Sequence, residues 1–189
     1  MSLACPPFTD PISNKRPASH IEMALILYDL AGAESARRFS PYCWRIRLAL
    51  EHKGLSVETI PWRFTDKDVI AFSGQGRVPV LVDSGKAVVG SWEIANHLEQ
   101  TNPEPPGLFR GRGGKAFARF MELWTDTVLM PGLMPLIIVD LFNHLHEKDR
   151  EYFRSSRERK LGMSLEQAGR IAKSGHRVST EYRAPSRCC

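Results

Sequence analysis

Phe39-Ser40-Pro41-Tyr42-Cys43-Trp44-Arg45 is the stretch on which the reading of this chain turns. Ser40 stands where a helix N-cap belongs, Pro41 fills the first helical position with its φ preset and no N–H to leave unpaired, and an amphipathic run follows to Lys53. Cys43, Ile46, Ala49 and Leu50 share one face of that run, and Gly54 offers a left-handed stop. Just upstream, Ala24-Leu25-Ile26-Leu27-Tyr28-Asp29-Leu30 reads as a short apolar strand. A loop therefore delivers Ser40 from the end of a strand to the start of a helix, where α/β sheets keep their chemistry. Free N–H groups and the dipole at such a helix start favour an anion by about 0.3–1 kcal/mol when exposed and up to ~2 kcal/mol when partly buried.

The spacing invites comparison with Cys-Pro-Tyr-Cys redox motifs, whose first Cys is activated by the helix N-terminus. Here the first position is serine. Ser40 cannot form a disulfide with Cys43, so dithiol exchange is closed to this pair, whereas a serine hydroxyl can donate a hydrogen bond to a thiolate carried by a ligand. Ser40 as a cap and nothing more, with Cys43 as ordinary core, accounts for these seven residues equally well.

Composition narrows the classes. With 189 residues and 42% hydrophobic content, the chain can bury the core of one large or two small domains. The formal charge of +5 does not point to nucleic acid, because residues 150–189 alone carry +6 and the rest is close to neutral. Only Cys43 of the four cysteines lies in a patterned element, so neither a disulfide framework nor zinc spacing results, and a reducing cytosol is the expected setting. The apolar run from Val128 to Val139 is too short to span a bilayer and contains Pro131 and Pro135. Residues 1–22 lack periodicity and read as a disordered leader, with Met23 a candidate start.

Leu55 to Pro61 reads as a second strand, parallel to the first by the crossover rule, and Thr65 to Phe72 as a weak helix or loop. Val78 to Asp83 and Ala87 to Val89 form a hairpin about Ser84-Gly85-Lys86, and Ser91 is placed to cap a helix with Ile94, Ala95 and Leu98 inside. Pro79 heads an apparent inner strand, where a proline belongs to a bulge, an edge or a cis turn; a cis bond leaves the Val78 N–H and C=O to pair with a ligand's backbone, and a plain strand-start proline is the alternative. Asn102 to Gly107 is a stiff linker. Helices follow: Phe117, Phe120, Met121, Trp124 and Val128 recur at helical spacing, Pro131 and Pro135 kink or interrupt the chain, residues 136–146 resume, and one helix is expected from about Lys148 to Ala172.

Three stretches together resemble a glutathione S-transferase: Ser-Pro-Tyr-Cys-Trp-Arg at 40–45, Gly-Arg-Val-Pro-Val-Leu at 76–81 and Gly-Ser-Trp-Glu-Ile at 90–94. Phe39 to Leu55 is most similar to the bacterial β-etherase-like branch, and Tyr-Phe-Arg-x-Ser-Arg-Glu at 152–158 carries that likeness further. The resemblance implies an α/β thioredoxin-like N-terminal domain, here residues 23–101, and after a linker over 102–111 an all-α C-terminal domain, here cut short at 112–174; residues 175–189 lose apolar periodicity and read as a basic disordered tail unlike that family's helical core. It implies Ser40 as the catalytic hydroxyl, Pro79 as a cis-proline, Val78 pairing with the cysteinyl backbone of glutathione, Ser91 binding the γ-glutamyl carboxylate, and Arg77 as a neighbour of that site. Gly90 departs from the acidic residue usual before the serine. Glutathione enters as co-substrate without a metal; the partner is a small-molecule electrophile rather than nucleic acid or membrane, and the resembled family is homodimeric, cytoplasmic and concerned with detoxification. A non-catalytic glutathione-binding protein and a glutaredoxin-like oxidoreductase using Cys43 are the alternatives. The short helical half carries three expectations: exposed Phe117, Trp124 and Leu141, poor solubility and weak or absent turnover.

Overall fold

Leu25–Leu30 forms β1, burying Leu27, Asp29 and Leu30. The structure is a computed structural model that describes residues 25–175, so the expected leader, the tail beyond 175, and Cys5, Cys188 and Cys189 lie outside the described residues. Pro41–His52 forms α1, ending before Gly54 at φ +65°. β2, Val57–Trp62, runs parallel to β1 with Leu25 beside Val57 and Leu30 beside Trp62. After a 3-10 segment at Asp68–Ser73, β3 (Val80–Asp83) pairs antiparallel with β1 and β4 (Lys86–Val89) pairs antiparallel with β3. Ser84 and Gly85 both take positive φ, which suits the twist of a two-residue hairpin turn. The four strands form a sheet of order β2-β1-β3-β4 and α2, Ser91–Thr101, follows it, the thioredoxin-like arrangement expected.

Leu27, Ile46, Leu50, Leu81, Ile94 and Leu98 pack α1 and α2 on the sheet, each contributing roughly 1.5–3 kcal/mol by leaving water. The linker is fixed rather than free. Lys53 Nζ pairs with Glu99 at 2.8 Å and donates to the Asn102 carbonyl at 2.8 Å, while Glu99 accepts the Leu108 amide at 2.9 Å.

Beyond the linker, α3 (Gly111–Trp124), a π-helical turn (Thr125–Leu129) and α4 (Met130–Asn143) form one continuous helix of 33 residues. Of the kink or interruption expected at the prolines, the interruption does not occur. A proline ring crowds the carbonyl four residues back, which for Pro131 is Thr127; the wider π turn holds that residue and makes room. The single helix expected from Lys148 to Ala172 is two, α5 (Glu147–Leu161) and α6 (Leu165–Lys173). Gly162 at φ +67° stops the first, and Ser164 Oγ caps the second by accepting the Gln167 amide at 3.2 Å.

The two halves interlock. Asp149, fully buried on α5, accepts hydrogen bonds from the Phe64 amide at 3.1 Å, the Thr65 amide at 3.0 Å and the Thr65 hydroxyl at 2.7 Å. The Ala33 amide donates to the His144 carbonyl at 2.9 Å, and a Cβ on Gly32 would meet that oxygen at 2.7 Å, so this close approach requires glycine.

Phe117 (64% exposed), Phe120 (58%), Trp124 and Val128 leave an apolar face of the long helix open, as expected for Phe117 and Trp124. Leu141 differs, being partly buried against Ile138, Leu145, Phe153 and Leu165. By length and composition the 33-residue helix could cross a membrane, yet Arg45 of α1 binds its Asp126 at 2.7 Å and faces its Glu122 at 3.7 Å. Open apolar surface of this kind favours association. Light scattering should find purified protein in assemblies larger than one chain, and Phe117→Glu with Phe120→Glu should reduce them to monomers; an unchanged mass would contradict this.

Candidate active site

The Ser40 backbone, at φ −74° and ψ 119°, is extended, and its Oγ accepts the Cys43 amide N–H at 3.3 Å, so Ser40 is the N-cap that Pro41 and the following run predict. The residue is 5% exposed. A hydroxyl has two acceptor lone pairs and one rotatable proton, so Ser40 Oγ can accept the Cys43 amide and still donate its O–H, to the Cys43 sulfur or, after rotation, to a ligand.

Cys43 is fully buried, and burial pushes its thiol up to about 12 in spite of hydrogen bonds from Ser40 and the Leu30 backbone. A nucleophilic thiol needs the opposite shift. The oxidoreductase reading therefore loses its reacting group. With Cys5, Cys188 and Cys189 replaced by serine, Cys43 should react with a disulfide reagent at pH 7 roughly a thousandfold more slowly in the native than in the unfolded protein, following its thiolate fraction; equal rates would show that burial does not protect it.

The Val78–Pro79 bond is cis. The buried Pro79 carbonyl accepts the Gly90 amide at 3.2 Å, bringing this corner to the start of α2. Phe39 and Val78 both pack on the cluster of Leu30, Cys43, Trp62, Ile70 and Val80, so the chain entering Ser40 and the proline corner share one hydrophobic support. Ser91 does not cap α2 as expected: it is the first helical residue, and the cap is Gly90, with no side-chain hydrogen bond. Gly90 sits at φ +86° and ψ 141°, a conformation L side chains rarely adopt, which is a physical reason for glycine where the resembled family has an acid. Arg77 is exposed and, with Arg157, opposes the charge on Lys160, whose ammonium is lowered chiefly by burial.

Sequence reasoning missed the Arg45 contacts to α3 and the π turn, and missed Asp29, whose only signal was an acid inside an apolar strand. A cleft of about 200 Å³ lies between the Ser40 loop and α4, walled by Arg37, Phe39, Ile137, Asp140, Leu141 and His144. Among the described residues no group of three or more His, Cys, Asp or Glu side chains is arranged to hold a metal ion.

Comparison with known proteins agrees with this geometry. The family model described as "Glutathione S-transferase, N-terminal domain" matches residues 35–106, and "Glutathione S-transferase, C-terminal domain" matches residues 116–182. Glutathione S-transferase Z2 of Arabidopsis thaliana is 31% identical over 109 residues, 55% of this chain and 47% of that protein. The chain spans about half the length of the curated relatives it matches. Glutathione transferase GSTFuA3 from Phanerochaete chrysosporium superposes with a TM-score of 0.68 at 27% identity, covering 80% of this chain and 70% of that one. A Ceriporiopsis subvermispora glutathione S-transferase, solved in complex with glutathione, shares the fold at a TM-score of 0.67 and 23% identity, over 80% of this chain and 71% of that one. Two domain models of one family, matched in order along a chain that folds as a thioredoxin-like sheet and a helical half, show that this protein belongs to the glutathione S-transferase family.

Proposed function

We propose that the chain binds glutathione and stabilises its thiolate with Ser40 for attack on an electrophilic or aryl-ether substrate, as in the β-etherase-like branch. The observation that carries this reading is Ser40 itself, a nearly buried N-cap whose rotatable hydroxyl stands beside the positive end of α1. The Val78 backbone pairs with the cysteinyl unit, Ser91 and the amides at the start of α2 hold the γ-glutamyl carboxylate, and Arg77 lies near. A second chain across the open face of α3 is the partner, and the setting is cytoplasmic.

A free thiol titrates near 8.5, so only a few per cent is thiolate at neutral pH. Lowering that value by about two units needs ~2.7 kcal/mol of preference for the anion. A hydrogen bond to a charged sulfur supplies about 1.5–3 kcal/mol and the helix terminus a further ~0.5–2 kcal/mol, so no general base is required. The sulfur then attacks the electrophilic carbon, the C–S bond forms as the C–O bond of an aryl ether breaks, and the phenolate leaves, taking its proton from water. Phe39, which precedes Ser40 in the chain, lines a cleft with Ile137 and Leu141 that offers an apolar wall for the aryl group.

Titration calorimetry with glutathione, followed by turnover on a panel of aryl-ether and halogenated substrates, tests the proposal. Binding with turnover supports it; binding without turnover on any member supports a non-catalytic glutathione-binding protein; no binding contradicts both.

A further inference from the structure

Behind Ser40 lies a buried ion cluster. Asp29 on β1 is fully buried, with its carboxylate 3.5 Å from Arg38 Nη1 and 3.3 Å from Arg47 Nη1. Arg38 is itself nearly buried. Its Nη1 donates to the Asp29 carbonyl at 3.3 Å, its Nε to the Ser35 carbonyl at 2.6 Å, and its own carbonyl accepts Trp44 Nε1–H at 2.9 Å. An isolated bridge to Ala31 fixes the same residue to the end of β1. Arg47 stands on α1 with its guanidinium over the Trp44 ring, 4.6 Å from the centroid. Arg38 precedes Ser40 and Arg47 follows it, so one carboxylate grips both the chain entering the N-cap and the helix leaving it.

Such a cluster is a poor way to gain stability, since paired charges taken out of water often do no better than apolar residues of the same volume. It does impose direction. The Arg38 guanidinium, held by a carboxylate and two carbonyls, and the Arg47 guanidinium, held by the same carboxylate and the Trp44 ring, are each fixed in orientation, and the backbone attached to them follows. Burial raises the Asp29 carboxyl above its ordinary value, with hydrogen bonding at Cys43 and the two guanidinium charges drawing it back, consistent with a carboxylate kept for its partners. The geometry points to Asp29 as a positioning residue that acts through Arg38 and Arg47 to aim the Ser40 hydroxyl at the glutathione sulfur, an inference that rests on the role proposed for Ser40.

The test is a double-mutant cycle on the ultraviolet thiolate absorbance of bound glutathione, titrated against pH at saturating glutathione. Arg38→Gln, Arg47→Gln and Asp29→Asn should each raise the apparent thiol pKa by about half a unit, roughly threefold less thiolate at a fixed pH below it. In the Ser40→Ala background each should shift it by less than about 0.2 unit, because the residue through which they act is gone. Equal shifts in both backgrounds would mean that the charges act on the sulfur directly. No shift, with only a lower unfolding midpoint, would mean a purely structural cluster. Either result overturns the inference. If Asp29→Asn does not fold, Arg47→Gln, a partly exposed side chain, decides the matter. A wild-type protein without the thiolate band overturns the Ser40 reading and this inference with it, whereas a wild-type band left unmoved by the variants overturns this inference alone.

Discussion

Ser40→Ala should lower turnover roughly ten- to a hundredfold, corresponding to ~1.4–2.7 kcal/mol of transition-state stabilisation. The hydroxyl is a side-chain donor at the start of α1, and a hydrogen bond to a charged sulfur is worth about 1.5–3 kcal/mol. Without it the bound thiol titrates about one to two units higher, and the thiolate fraction at neutral pH falls accordingly. The loss is specific to the chemistry. Removing the bond from the Cys43 amide costs about 0.5–2 kcal/mol of helix stability, which leaves the protein folded. Steady-state kinetics should show kcat falling more than glutathione affinity; unchanged kcat with the same thiolate absorbance would contradict the assignment.

Asp149→Ala should destabilise the folded chain by about 3 kcal/mol or more. Its carboxylate satisfies two backbone amides and a hydroxyl at Phe64 and Thr65, all on the thioredoxin-like half, while Asp149 itself lies in the first turn of α5, where a negative charge also suits the dipole. Alanine removes the charged acceptor of the partly buried Phe64 amide and of both Thr65 donors, and a hydrogen bond to a charged group is worth about 1.5–3 kcal/mol. Asp149→Asn keeps an acceptor and should fall between. Urea unfolding followed by intrinsic fluorescence measures the difference, with the midpoint lowered and the Trp62 region released early. A midpoint within error of wild type would show that the two halves do not depend on this junction.

The parts of the fold legible in the sequence are those decided locally. Ser40 and Pro41 write a helix start in two residues, Ser84 and Gly85 write a hairpin turn, and Pro79 at the head of an inner strand announces an unusual corner. The missed parts were decided by neighbours. Pro131 and Pro135 read as a kink or an interruption because a π turn is invisible to a pattern of period 3.6, and only the coil itself shows that it makes room for the ring. Gly162 and Ser164 did carry a stop and a cap, but the charged stretch on either side hid them. Ser91 was assigned a cap on residue type, whereas the backbone conformation of Gly90 settles which residue holds that place. Asp29, Arg45 and Asp149 gain their meaning from partners nine to eighty-five positions away, which no local pattern reveals.

The most direct test of the central claim is the ultraviolet difference spectrum of wild-type protein saturated with glutathione at pH 7, taken against S-methylglutathione as a ligand without an ionisable thiol. A thiol titrating about two units below its free value gives thiolate in most of the bound molecules, against a few per cent free in solution, and that band is the predicted result. Saturable binding with no thiolate band would contradict the claim that Ser40 at the start of α1 activates the sulfur.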